Sequence, residues 1–180
     1  MSGWEQDKRW SDKFLPEIKR ILGEHLISEP PVEEDAERNT DLMVLRLEAV
    51  RIGCRVRTHK YLCGYGDEFT IRTARPSGAK TELAKIIEGW GHYFFYGFAN
   101  ADETCLAQWI LGDLNAFRLY FNAYIVNNKG ELPGDERKNG DSSSTFRSFK
   151  YGKIPNFVVA SAMEHVTRAL HTQRSEAKGE

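Results

Sequence analysis

VRIGCRVRT, residues 50–58, alternates between two kinds of side chain, with Gly53 at one odd position. Ile52, Cys54 and Val56 occupy the even positions, and Arg51, Arg55 and Arg57 the odd ones. A period of two is that of a β-strand, whose successive side chains point to opposite faces. This segment therefore predicts a strand with one apolar face and one guanidinium face. Two readings follow for the arginine face. It is either a solvated outer sheet face, or a surface that meets an anion, because three like charges along one strand repel unless something negative answers them.

Outward from this strand, DLMVLRL (41–47) reads as a strand that forms a hairpin with it, and Phe69–Thr73 as a third strand after the turn-rich YLCGYGDE. Upstream, Phe14, Ile18, Ile21, Leu22 and Leu26 recur at helical spacing, with Pro16 in the first turn, so a helix is expected over 14–27. Leu83, Ile86, Ile87 and Trp90 predict a second helix, and the uncharged aromatic run HYFFYGF (92–98) a central strand covered on both faces. Gln108–Leu111 reads as another strand. Asp113 is placed to cap a helix whose Phe117, Tyr120, Phe121 and Tyr124 form one aromatic stripe. Phe146–Phe149 and Phe157–Ala160 read as short strands, and 161–172 as a last helix.

The expected fold is α+β, an α/β sandwich on a central mixed sheet. It has an αβββαβ-type core whose three consecutive strands form an antiparallel meander, plus C-terminal helices. At 180 residues the chain reads as a single domain, with its core over 14–98, additions over 99–172 and flexible loops at 29–40 and 127–145.

Composition narrows the class. A net charge of −1 fits neither a strongly basic coating protein nor an acidic mimic of DNA, yet the charge is segregated. Residues 1–40 hold 6 Lys and Arg against 10 Asp and Glu, while 41–90 hold 9 against 6. No apolar stretch is long enough to span a bilayer, and the polar start carries no signal core, so no membrane association is expected. Three scattered cysteines (54, 63 and 105) form neither a disulfide framework nor a zinc set and fit a cytoplasmic setting.

Two clusters can carry chemistry. In RPSGAKTE (75–82), Ser77 can cap a helix, Gly78 lets the backbone approach a ligand, and Arg75 and Lys80 add charge beside a helix start. The alternative is a capped helix after a turn. The second cluster is a set of carboxylates: Asp41 at the start of a strand, Glu68 beside another, and Glu17 or Glu24 on the first helix. Converging carboxylates can hold Mg²⁺ and activate water for phosphodiester cleavage, with Asp41 as the metal ligand.

The helix at 14–27, Thr40-Asp41-Leu42, Arg55-Val56-Arg57 and Thr81-Glu82-Leu83-Ala84-Lys85 together resemble the PD-(D/E)XK nuclease-like superfamily, in the form of small phage and prophage proteins. The resemblance covers roughly residues 14–98. It implies binding of DNA or RNA and, in active members, Mg²⁺-dependent cleavage. Asp41 matches the aspartate, but Arg55-Val56-Arg57 stands at the E-x-K position. A cation there would repel Mg²⁺, so catalysis would need Glu68 or Glu82 as the second carboxylate and Lys85 or Lys80 as the cation. On the binding side, Arg51, Arg55, Arg57, Arg72, Arg75 and Lys80 are the expected phosphate contacts. The alternative is a catalytically inactive module that binds a host protein, such as a phage inhibitor of a host nuclease or defence complex; its aromatic content of 12% suits an interface. A homodimer through the Phe117/Tyr120/Tyr124 stripe is a further alternative.

Overall fold

The structure, a computed structural model, describes residues 3–28, 43–44, 50–74, 78–138 and 144–162. The chain divides into two compact units, residues 1–50 and 51–180. In the first, α1 (Gly3–Asp12) precedes α2 (Leu15–Leu26), the helix expected from the apolar spacing. Phe14, Ile18 and Ile21 are its buried stripe, and the ring of Trp10 meets Phe14 edge-on at 5.2 Å. β1 (Ile27–Ser28) pairs antiparallel with β2 (Met43–Val44).

The second unit opens with β3 (Ile52–Arg57). A 3₁₀ turn at His59–Tyr61 and the short α3 (Leu62–Tyr65) lead to β4 (Glu68–Ala74), and α4 (Glu82–Ile87) leads to β5 (Tyr93–Ala99). β6 (Leu106–Asp113), α5 (Leu114–Asn127), β7 (Asp135–Lys138), β8 (Thr145–Lys150) and β9 (Val158–Ala162) complete it. One sheet has the order β3-β5-β6-β9, with β3 and β5 parallel and the other pairs antiparallel; a second, antiparallel sheet has the order β4-β8-β7. The fold is α+β with a mixed sheet, as expected.

The pairing corrects the meander. β3 does not pair with β4: the helical segment between them carries the chain out of the first sheet, and β4 starts the second. Among the described residues β2 pairs with β1, not with the 50–58 strand. The expected loop at 127–145 contains β7, which pairs with β8 from Asp135↔Ser148 to Lys138↔Thr145. Residues 161–162 belong to β9 rather than to a helix, and 163–172 lie outside the described residues, as does 29–40.

β5 is the buried central strand that its aromatic run predicts, lying between β3 and β6. Asp113 caps α5 through hydrogen bonds accepted from the N–H groups of Asn115 (2.6 Å) and Ala116 (3.4 Å). The α5 stripe faces inward: Phe117 and Phe121 are core residues, with Tyr120 packed against them. Arg118 on the same helix donates to the carbonyls of Ile86 (2.6 Å) and Gly91 (2.7 Å), satisfying acceptors at the end of α4.

Phe69 of β4, 0% exposed, is the centre of the core. It stacks on Phe157 (centroids 4.7 Å apart) and Phe149 (5.4 Å), and meets Phe117 at 5.8 Å and Phe94 at 6.0 Å. Phe157 lies so close to β6 that a Cβ on Gly112 would sit 2.2 Å from its ring. Gly112→Ala therefore has to displace a packed ring and should cost about 1–3 kcal/mol, read from the urea midpoint.

The turn before β4 is held from two sides. The carbonyl of Gly66 accepts from the Tyr151 hydroxyl (2.6 Å) and from Gln108 Nε2. Burial, and then the charge of Asp67, push the Tyr151 hydroxyl up to about 12. A phenol raised above its unfolded value of about 10 contributes stability that is full below pH 10. That contribution is lost as pH rises toward about 12. Tyr151→Phe should flatten this alkaline loss, as followed by denaturation at stepped pH.

Candidate functional site

β3 carries the two expected sets of side chains, and both are partly covered: Val56 of the apolar set is buried, while Arg55 and Arg57 are half-buried. Arg55 lies beside Tyr96 and Arg57 beside Phe98 in the parallel register, so the guanidinium face continues the core face of β5. The solvated-face reading fails for these two arginines; Arg51, just before the strand, is exposed.

Arg55 is fully engaged. Its Nη1 donates to the Thr70 carbonyl (2.8 Å) and to Thr70 Oγ1 (3.3 Å), and its Nη2 pairs with Glu82 Oε2 at 2.7 Å. Glu82 Oε2 also accepts the backbone N–H of Arg72 (3.0 Å). β4 is an edge strand of its sheet, and the pair thus takes one acceptor and one donor of that edge. Arg55 and Glu82 substitute there for a neighbouring strand.

Two residues on, Arg57 enters a cleft of about 280 Å³ between β3 and β5 on one side and β4, β7 and β8 on the other. Its guanidinium lies 4.5 Å from the Tyr61 ring centroid, and Arg137 lies 4.8 Å from that of Tyr65. Lys138, Phe98 and Phe146 also line the cleft, as do Thr70 and Tyr96, whose hydroxyls are 3.2 Å apart. Among the described residues the one carboxylate in the wall is Glu68, 6% exposed, whose Oε2 lies 3.1 Å and Oε1 3.3 Å from Arg137 Nη2. Among the described residues three cations face one carboxylate, which leaves this lining positive, with aromatic rings among the charges.

The other expected site residues are dispersed. Asp41 and Arg75 lie outside the described residues, as does Ser77. The cap of α4 is Thr81, whose Oγ1 accepts from Ala84 N–H at 3.3 Å. Lys80 is paired with Glu88, and Lys85 is exposed on α4. Arg72 is partly buried on β4. Glu68 and Glu82 do not converge, because Glu82 bonds β4 four residues beyond Glu68, roughly 13 Å along a strand. Each is held by an arginine. Among the described residues no three His, Cys, Asp or Glu side chains come together as a metal-binding group, so the described carboxylates do not form a Mg²⁺ set.

Sequence reasoning missed Tyr61, Tyr65, Arg137 and Lys138. The i, i+4 spacing of the two tyrosines is a helical signal in a segment read as a turn. The charged stretch DERK carries no apolar alternation that would mark it as a strand.

Comparison with protein-family models, with curated proteins and with solved structures finds no match to this chain. Fold and site define it as an α+β protein with a cationic, aromatic-lined cleft between two sheets. No helix among the described residues is long and apolar enough to cross a membrane.

The Arg55–Glu82 pair is partly buried, so removing either partner strands the other. Arg55→Ala and Glu82→Ala should each cost about 1–3 kcal/mol. The double variant should cost clearly less than their sum in a thermodynamic cycle.

Proposed function

We propose that the protein binds nucleic acid, DNA or RNA, in the cleft lined by Arg57, Arg137 and Lys138. The observation that carries this reading is the placing of Arg57 against the Tyr61 ring and of Arg137 against the Tyr65 ring, with Lys138 in the same wall. Phosphates need cations, and bases stack on aromatic rings with little regard to sequence. A cleft that offers both suits a strand of nucleotides better than a simple anion.

The proposal is of binding, not cleavage. Glu82, one of the carboxylates that cleavage would need, is taken up by Arg55 and the Arg72 N–H. Three free, exposed cysteines fit a reducing compartment such as the cytoplasm as the setting.

The test is the salt dependence of binding to a fluorescent single-stranded oligonucleotide. Arg57→Ala and Lys138→Ala should each weaken binding and lower the slope of log K against log salt by about 0.7. Arg55→Ala, if folded, should leave the slope unchanged. Slopes unaltered by the first two substitutions would remove the cleft from the binding surface.

A further inference from the structure

The size of the cleft and the state of Glu68 narrow what it holds. Pockets that enclose small ligands begin at about 300 Å³, so a cleft of about 280 Å³ takes one nucleotide-sized group. A duplex keeps its base edges paired and stacked, whereas a single strand can turn one base out into such a space.

Glu68 is the feature without a complete explanation in the fold. It is 6% exposed, yet it stands in the wall of the cleft. Its Oε1 accepts from Arg137 at 3.3 Å; its Oε2 lies 3.1 Å from the same Nη2 but makes no hydrogen bond. Oε2 is held by the charge of Arg137 but by no aligned donor, and a carboxylate can only accept. An aligned partner for it is therefore a donor.

Arg137 is free to exchange partners. It sits on β7, the edge strand of its sheet, and rests against the Tyr65 ring. A ligand phosphate offers its guanidinium a stronger, bidentate acceptor, which releases Glu68 Oε1 as well. The carboxylate then presents two acceptors side by side.

Resting on the nucleic-acid reading above, we infer that the cleft selects an unpaired guanine, read by Glu68. Guanine carries two adjacent donors, N1–H and the exocyclic amino group, on its pairing edge. Uracil and thymine place one donor between two acceptors, while adenine and cytosine each bring a ring-nitrogen acceptor beside their single amino group. Only guanine answers both carboxylate oxygens without setting an acceptor against one of them.

The experiment uses the full chain and labelled RNA pentamers of uridine that carry guanosine, adenosine, cytidine, inosine or uridine at the centre, with affinities read by fluorescence anisotropy. The guanosine pentamer should bind about tenfold more tightly than the adenosine, cytidine and uridine ones. Inosine, which lacks the amino group, should fall between. Glu68→Gln should shrink the guanosine preference to about twofold while affinity for the all-uridine pentamer persists. If all five pentamers bind alike, the guanine inference fails and nucleic-acid binding stands. If none binds, both readings fail. A guanosine preference undiminished in folded Glu68→Gln would overturn the role given to that residue. The wild-type series decides base selection even if the variant does not fold.

Discussion

The ring of Phe69 is the contact on which the second unit depends. It projects from β4 and touches aromatic residues from β5, β8, α5 and the approach to β9. The two sheets thus meet through one side chain and the rings around it. Each aromatic pair adds about 0.5–1.5 kcal/mol beyond the burial of its area, and here the pairs share a single member. The same layer of rings sets the place of the cleft. Along β5 it runs from Phe94 through Tyr96 to Phe98, and beyond it the side chains between the sheets become Arg57, Tyr61 and Arg137.

Much of this was legible where one residue pattern has one structural meaning. The stripe of α2, the uncharged aromatic run of β5 and the Asp113 cap are each nearly unambiguous. α1 was not, because GWEQDKRWSD offers too few apolar residues for a periodic stripe and is mostly exposed. Pairing was harder still. Strands consecutive in sequence are expected to be neighbours, and nothing in YLCGYGDE announces that its helical turn moves the next strand to another sheet.

The arginine strand shows most clearly what alternation reveals and what it leaves open. Periodicity divides the side chains into two faces without saying which is covered. Charge left two readings open, water or an answering negative group, and Glu82, the Thr70 carbonyl and the Tyr61 ring supply partners that allow guanidinium groups inside. Arg55 and Arg57, one strand period apart, consequently have different fates. The first is consumed by an acid and a carbonyl; the second lies against a ring face and, among the described residues, pairs with no carboxylate. The candidate site was half legible for the same reason: Arg57 and Glu68 were singled out by type, whereas Arg137 and Lys138 arrive through a pairing that the sequence does not advertise.

The Arg55–Glu82 pair has a consequence beyond stability. An edge strand with unpaired N–H and carbonyl groups is a template on which another chain can add, the first step of sheet-to-sheet association. At β4, residues 70 and 72 have that template filled by side chains of the same molecule. The protein thereby guards a phenylalanine-bearing strand against aggregation without a proline at those two positions. Arg55, expected from the sequence to contact phosphate, is instead part of what closes the edge.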